Sequence, residues 1–286
     1  MLLEPRSVKL TTRTEIEVRR NLPHAHRRRI GAWVFLDHFG PTPQVEGMTV
    51  AAHPHTGLQT VTWLFDGAVD HRDSLGTAQT ITPGALNLMT AGRAVAHSEK
   101  SLPGPTSLHA VQLWLALPDS VRHMQPRFEH VDAIPIAEFG ATSAHVFIGQ
   151  LGEAHSPATV FSPLVGAELR IAGDSVIPLV ESWEHGVLAV DGDLTVNGAA
   201  VPNNSLFVLD TGHHQLSVGG RGRAILIGGA PFTEQIVMWW NFIGRSTDEI
   251  VAMREAWNLQ TYPQFADHVG GWIPAPEMPN VTLQPR

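Results

Sequence analysis

The sequence predicts an all-β protein made of two stacked antiparallel β-barrels and a short C-terminal helix. Three observations support this fold class. Short apolar runs alternate with turn signals, the same order of runs and turns recurs in the second half, and a helical periodicity appears near residue 245. The predicted domains are residues 1–125, an N-terminal barrel with a metal site, and residues 126–286, a C-terminal barrel with the closing helix and tail.

The first half contains β-rich runs separated by turn residues. The run 61–65 ends at the Asp-Gly pair 66–67, and the Pro-Gly pair 83–84 precedes the apolar run 86–89. Such pairs are typical turn signals between strands. The order strand, turn, strand predicts a chain that folds back on itself as a small antiparallel barrel.

The second half repeats this order in a weaker form. An apolar run at 188–190 is followed by an Asp-Gly pair at 191–192, a turn at Pro202 and the apolar run 206–209. The match is short, and it favours two copies of one barrel over two unrelated domains.

Near the C-terminus the periodicity becomes helical. Ser246 is a candidate N-cap, and Glu249 stands at the capping-box position three residues later. Ile250, Met253 and Trp257 then form one apolar stripe, which we expect to pack on the parent domain. The proline-containing tail from residue 273 is expected to wrap the surface.

Composition and charge limit the function classes. The 286 residues carry a formal charge of −8, which argues against a broad nucleic-acid-binding surface. The arginine clusters at 19–20 and 27–29 are expected to be solvated or ion-paired, and a local contact to an acidic partner stays open. The absence of cysteine excludes disulfides, thiolate ligands and a cysteine nucleophile, and it fits a cytoplasmic protein. The N-terminus lacks a signal-peptide core and no apolar run reaches the roughly 20 residues of a membrane span, so no membrane partner is expected.

Two residue trios indicate a metal site. His53-Pro-His55 and His97-Ser-Glu99 each place two metal-binding side chains at positions i and i+2, which lie on one face of a strand. If the two strands meet, three nitrogens and one oxygen converge, a set that suits a first-row transition metal with open positions. The sequence has 16 histidines and another His-x-His trio at 24–26, so the spacing alone is not specific. The strand and turn signals around residues 53–55 and 97–99 make these two trios the better candidates.

The second barrel offers no equivalent set. In the first half, each candidate ligand lies a fixed number of residues from the turn at Gly67 or Pro83. The same numbers of residues, counted from Gly192 and Pro202 in the second half, lead to side chains that cannot bind a metal: Pro178, Val180, Leu216 and Val218. We therefore expect one metal per chain and a structural second barrel.

Several nearby residues have expected supporting roles. Three histidines lie at no ligand spacing and are expected in hydrogen-bonded or core positions: His38, His71 and His109. Three polar residues are candidate partners for the ligand imidazoles: Asp37, Asp73 and Gln112. Three tryptophans are expected in the core or at barrel contacts rather than as a substrate platform: Trp114, Trp239 and Trp240.

These motifs resemble the pirin family of the cupin superfamily, over nearly the whole chain and most densely over 30–120. The matching stretches are 36–41, 53–57, 70–76, 83–84, 89–93, 97–99, 113–118 and 247–250. Two departures are Gln59, where many pirins carry Glu, and the stretch 94–96, where a Gly-containing sequence is more usual. The second departure leaves the fit of a substrate open.

The resemblance implies a bicupin of jelly-roll type. It implies one divalent metal in the N-terminal barrel, bound by His53, His55, His97 and Glu99, with Fe(II) favoured and Zn, Ni, Mn and Cu as alternatives. Pirins similar to this chain are associated with flavonol cleavage of the quercetin 2,3-dioxygenase type, and others with protein partners that include transcription factors.

A catalytic function is favoured, with phenolic or flavonol substrates and dioxygen. Glu99 would then be the catalytic residue, as the general base for the hydroxyl that binds the metal. One alternative is a non-catalytic regulatory protein that binds an enzyme or transcription factor in a redox-dependent way. A third is a site that carries Zn or Ni, either as a purely structural metal or in another lyase or dioxygenase reaction. The physiological substrate, the metal and the oligomeric state are left open.

Overall fold

The structure is a computed structural model, and it describes residues 1–9, 17–42, 48–102, 107–263, 265 and 271–285. The chain forms two compact units, each assembled from separate stretches. Unit 1 comprises Met1–Val8, Val18–His38 and Val131–Phe232, and unit 2 comprises Lys9–Glu17, Phe39–His130 and Thr233–Arg286. Both units are therefore discontinuous in sequence, whereas the division into 1–125 and 126–286 stays a prediction.

The described elements are strands and one helix, in agreement with the predicted all-β class. In chain order they are β1 (Leu2–Leu3), β2 (Arg6–Lys9), β3 (Glu17–Leu22), β4 (Trp33–Thr42), β5 (Thr49–His55), β6 (Leu58–Asp66), β7 (Val69–Asp73), β8 (Ala78–Ile81), β9 (Leu86–Thr90), β10 (Val95–Ser101), β11 (Leu108–Ala116), β12 (Arg127–Val131), β13 (Ile136–Phe139), β14 (Thr142–Leu151), β15 (Ala154–His155), β16 (Leu164–Ile171), β17 (Ser175–Pro178), β18 (Glu184–Val196), β19 (Ala199–Val201), β20 (Leu206–Leu209), β21 (Gln215–Gly229), β22 (Val237–Trp239), β23 (Phe242–Gly244) and α1 (Thr247–Asn258). Within the described part of the chain, no helix combines the length and apolarity needed to span a bilayer.

Unit 2 is built from two antiparallel layers. One is a four-stranded sheet in the order β5-β10-β7-β8, and the other contains the path β12-β9-β6-β11. Ring contacts join the layers, because Trp114 of β11 lies against His55 of β5 and Phe128 of β12 stacks on His71 of β7. The space between the layers is therefore filled by side chains of β5 and β10, which carry the predicted ligands, and by side chains of the sheet that faces these two strands.

The turn between β5 and β6 requires a glycine. Gly57 has φ +69°, and a Cβ at this position would lie 2.3 Å from the backbone oxygen of Ile243. Only a residue without a side chain can bring these two segments together. The glycine at position 57, which ends the motif stretch 53–57, is therefore required for steric reasons.

The helix starts as predicted. The Ser246 side chain accepts a hydrogen bond from the Glu249 backbone N–H, and Ile250 and Trp257 are buried. The Glu249 carboxylate differs from a standard capping box, because it accepts the backbone N–H of Arg245 and pairs with Arg122. The tail contacts β5 of the same unit through the backbone N–H of Ile273, which donates to the Ala52 oxygen.

Unit 1 contains a large antiparallel sheet with the main path β1-β20-β18-β21-β16-β14-β13. The predicted Asp-Gly turn at 191–192 is wrong, because β18 continues through it as a 13-residue strand. A register shift between Ala189 and Asp191 marks a bulge, and Gly192 takes φ +86° with the backbone oxygen of Arg221 only 2.1 Å from its Cβ position. The glycine therefore serves a bulge in a continuous strand instead of a reversal. At the other pair, β6 ends at Asp66, as predicted.

We predict that His185 makes unit 1 sensitive to acid. This β18 histidine is buried, its Nδ1 has no hydrogen-bond partner among the described residues, and burial lowers its pKa to about 4. In the unfolded chain the value is near 6.5, so the unfolded state binds the proton more readily and stability falls as the pH drops from 6.5 to 4. H185L should reduce this loss by about 2–3 kcal/mol, measured by denaturant unfolding of metal-free protein over that range. The exposed His155 provides the control H155L, and parallel stability curves for H185L and the wild-type protein would contradict the prediction.

Candidate metal centre

The two predicted ligand strands are direct neighbours. In the β5–β10 ladder, His97 lies opposite His53, and Val95 lies opposite His55. Side-chain alternation therefore places three imidazoles on one face, with ring centroids 4.3 Å apart for His53 and His97 and 5.0–5.1 Å for the other two pairs. Each ring offers a nitrogen within 4.8 Å of the other two, and the Nε2 atoms of His55 and His97 are 3.1 Å apart.

Glu99 lies beside the His97 ring. The ladder slips between His97 and Glu99, and Glu99 stands opposite His71 of β7. The Glu99 Oε1 atom is 4.0 Å from His97 Nδ1, and these two residues form a second potential metal-binding group with His71. The structure thus brings together the three predicted histidines and places the predicted carboxylate beside one of them. In the described residues both potential metal-binding groups lie in unit 2.

Burial sets the charge state of this cluster. It lowers the pKa of His53 to about 4 and holds the pKa values of His55 and His97 well below the ordinary range. The three rings are therefore neutral at pH 7, which is the form that binds a metal. Burial also raises the pKa of Glu99, which makes this carboxylate a stronger base than an exposed one.

The hydrogen bond of His53 orients its free nitrogen. His53 Nδ1 lies 2.9 Å from the backbone oxygen of Ala51. Because a carbonyl oxygen only accepts, the proton of this neutral ring is on Nδ1 and the lone pair is on Nε2. The ring therefore presents its donor atom away from its own backbone.

A chain of hydrogen bonds from Asp73 does the same for His97. Burial alone would raise the pKa of Asp73, but hydrogen bonds from His71 and from the backbone amides of Thr77 and Leu75 keep it below its ordinary value. The ionised carboxylate accepts from His71 Nε2 at 3.1 Å, and His71 Nδ1 lies 3.3 Å from His97 Nδ1. With one proton on each ring, His97 Nδ1–H donates to His71, and the lone pair of His97 is on Nε2.

The sequence pattern predicts only supporting roles for His71 and Asp73 and does not predict strand β7. The strand reads Val-Asp-His-Arg-Asp, and its buried positions are Val69, His71 and Asp73. Buried and partly exposed positions alternate strictly along this strand. A hydrophobic pattern does not show this alternation, because two of the three inward residues are polar. The other partner candidates bind elsewhere, since Asp37 pairs with Arg20 and Gln112 accepts a hydrogen bond from Thr62.

The remaining aromatic and histidine candidates are distributed differently. The Trp114 ring lies edge-on to His55, at 5.1 Å between centroids, so this tryptophan borders the cluster. Trp239 and Trp240 pack beside the C-terminal apolar cluster around Trp257. His109 contacts the Phe65 ring.

The donor set fits a divalent transition metal on the chemistry of its atoms. Three neutral imidazoles converge, hydrogen bonds leave the lone pairs of His53 and His97 on Nε2, and a buried carboxylate of raised pKa, that of Glu99, lies beside His97. Imidazole nitrogens with one carboxylate oxygen suit Fe, Ni, Zn, Mn or Cu.

Comparison with known proteins places this arrangement in a family. The sequence model described as Pirin matches residues 15–115, and the one described as Pirin C-terminal cupin domain matches residues 165–263. A Pseudomonas aeruginosa protein, whose name assigns it provisionally to the quercetin 2,3-dioxygenases, is 43% identical over 248 residues, which cover 85% of this chain and 79% of that protein. The chain belongs to the pirin family.

Two further similar proteins cover almost the full length of the chain. A pirin-like protein of Caulobacter vibrioides is 34% identical over 278 residues, 91% of this chain and 94% of the relative. The crystal structure of a quercetin 2,3-dioxygenase from Acinetobacter baumannii matches 100% of this chain and 97% of its own, with 39% identity and a TM-score of 0.94. The protein therefore has the two-domain cupin architecture that its motifs implied.

We predict that D73N weakens metal binding without touching a ligand. An asparagine in the same pose turns the group that faces His71 into a donor, which reverses the proton positions of His71 and His97 and protonates His97 Nε2. Loss of such an outer hydrogen-bond partner typically lowers metal affinity 10–100-fold, measurable at pH 7 by competition with a chromophoric chelator. D70N is the matched control, because Asp70 lies on the same strand and accepts from Arg72 instead. Equal affinities of the two variants would show that the relay has no such role.

Proposed function

We propose that the protein is a metal-dependent dioxygenase of the pirin type that cleaves flavonols such as quercetin. The observation that carries the proposal is the convergence of three neutral, buried imidazoles on one point, with a buried carboxylate beside them. The similarity to proteins named as quercetin 2,3-dioxygenases, at 43% and 39% identity, supports an oxidoreductase activity.

In this proposal the metal is held by His53, His55, His97 and Glu99. Fe(II) is the proposed ion, and the same donors also suit Ni, Zn, Mn and Cu. A bound divalent ion supplies Lewis acidity, which lowers the pKa of a coordinated hydroxyl, and a redox-active ion also supplies electrons to dioxygen chemistry. The three imidazoles contribute no charge, so Glu99 is the only anionic ligand of the set.

Glu99 is the proposed general base. Its raised pKa favours uptake of the proton from the flavonol 3-hydroxyl, and its carboxylate then holds this proton while the electron-rich ring reacts with dioxygen and opens with loss of carbon monoxide. The position of Glu99 supports the role, because it and His53 are the most exposed of the four residues, at 9% and 8%. In this proposal a substrate approaches the set from this side.

The surrounding side chains exclude water from the other side. His55 and His97 are 1% and 2% exposed, and Trp114 covers the edge of His55. A dry site strengthens the interactions of the substrate oxygens with charged groups and protects a reactive intermediate from hydrolysis.

We predict that H97A and E99Q separate metal binding from catalysis. H97A removes the imidazole at the centre of the cluster, so metal content should fall from near one per chain to a small fraction and turnover should vanish with it. E99Q keeps an oxygen ligand but loses the base, so metal is expected to remain while quercetin turnover falls at least about 100-fold.

The measurement uses protein purified without a His tag, analysed for metals, reconstituted with Fe(II) in air and mixed with quercetin. Loss of the visible absorbance of quercetin reports turnover. E129Q is a matched control, because Glu129 is a carboxylate of the same unit that pairs with Arg127. A wild-type protein with one metal per chain and no turnover would contradict the dioxygenase and favour the regulatory alternative, and full activity of metal-free H97A would exclude a role for the metal.

A further inference from the structure

The sheet opposite the ligand strands presents one face to the metal centre. Trp114 of β11 lies 5.1 Å from the ring of His55, and Phe128 of β12 stacks on His71 at 4.7 Å with an interplanar angle of 26°. Met89 of β9 packs in the same apolar cluster as Val95, the residue opposite His55. Contacts from three strands therefore define the inner face of the sheet β12-β9-β6-β11.

The strand register places a second set of residues on this inner face. Directly opposite residues of antiparallel strands share a face, and so do residues i and i+2 of one strand. Thr60 lies opposite both Trp114 and Met89, so Thr62 lies on the same face, opposite Gln112 and Asn87. His130 follows Phe128 by two residues and continues the row, which stands about 7 Å along the strands from the Trp114 level.

This polar row, consisting of His130, Asn87, Thr62 and Gln112, is bonded in two pairs. His130 Nδ1 lies 2.7 Å from Asn87 Oδ1, and Thr62 Oγ1 donates to Gln112 Oε1 at 3.0 Å. The amide of Gln112 donates onward to the backbone oxygen of Val61 at 3.3 Å. The row thus has a gap between its two pairs, at Asn87 and Thr62.

Asn87 has an unused hydrogen-bonding atom at this gap. The residue is only 3% exposed, and its Nδ2 has no hydrogen-bond partner among the described residues. An unpaired buried polar atom is rare in folded proteins and calls for an explanation, such as a functional role of the side chain or a bound water or ion. Rotating the amide by 180° would pair Nδ2 with His130 and leave Oδ1 unused, so either orientation leaves one atom free.

We propose that Asn87 binds a hydroxyl of the substrate at the end remote from the metal, with Thr62 as the adjacent acceptor. A hydroxyl fits because it both donates and accepts, and therefore satisfies either orientation of the amide. The site thus selects polyhydroxylated aromatic substrates over analogues that carry only the metal-chelating oxygens. This inference rests on the proposed function and deepens it.

The alternative is a purely structural role, in which Asn87 ties β12 to β9 through His130. That role predicts an effect of substitution on stability and none on ligand discrimination. Gln59 offers the matched control, because it is a buried side-chain amide on the opposite face of β6 that bonds to Thr90 of β9. N87L and Q59L therefore remove comparable amides from the two faces of one sheet.

The test measures binding of quercetin and of 3-hydroxyflavone, which shares the chelating edge but lacks the other hydroxyls. Iron-loaded protein is titrated by calorimetry without oxygen, so that binding is observed without turnover. The wild-type protein and Q59L should bind quercetin at least about tenfold more tightly than 3-hydroxyflavone. N87L should bind quercetin about tenfold more weakly, keep its affinity for 3-hydroxyflavone within about twofold, and keep full metal content.

Every other outcome contradicts either the hydroxyl subsite or the proposed function. Equal affinities of the wild-type protein for the two flavonols overturn the hydroxyl subsite whether or not N87L folds, and so does an equal loss for both ligands in N87L. Binding of neither flavonol by iron-loaded wild-type protein overturns the proposed function itself, and the subsite with it.

Discussion

The pairing of β5 with β10 is the constraint on which the metal centre depends. With His97 opposite His53, alternation brings three imidazoles to one face, and a shift of one residue would turn the side chains of one strand to the other face. The same ladder slips between His97 and Glu99, so that Glu99 lies opposite Val50 of β5, while on the other edge of β10 it lies opposite His71 of β7. One pairing thus decides which residues form the cluster and which side of it carries the carboxylate.

Burial of this cluster has an energetic consequence that matches its chemistry. Three imidazoles that remain neutral keep their lone pairs, and the cost of desolvating them is reduced because no charge is buried. The negative charge of Asp73 is tolerated because two backbone amides and His71 satisfy it. The carboxylate of Asp73, separated from His97 by the single ring of His71, therefore fixes the proton of His97 through contacts that no spacing rule describes.

The C-terminal segment completes the unit that contains the metal centre. The backbone of Ala52, in the ligand strand β5, bonds to Gly271 and Ile273, and Thr56 accepts from Ile243. The helix is anchored in the same unit through the Arg122–Glu249 ion pair and the buried Trp257 ring. Residues more than 180 positions away from the ligand pair thus support the strand that carries it, which explains why unit 2 is discontinuous in sequence.

The sequence by itself determined the strand class, the helix start and the three histidines, because these depend on local rules. Alternation at i and i+2, turn pairs such as the one at 66–67, and the Ser246 cap all act within a few residues. The same rules failed at Asp191-Gly192, where a glycine with positive φ serves a bulge instead of a turn, and at β7, where the buried positions are His71 and Asp73.

Only the tertiary structure decided the rest of the site. The register that sets His97 against His53, the relay from Asp73 and the row through Asn87 all join strands that are distant in sequence. The local sequence does not determine which strands become neighbours, because strand pairing depends on the packing of whole sheets. The sequence therefore identifies the residue types that are capable of the chemistry. The distances between them, the positions of their protons and the side chains that face them follow from the fold.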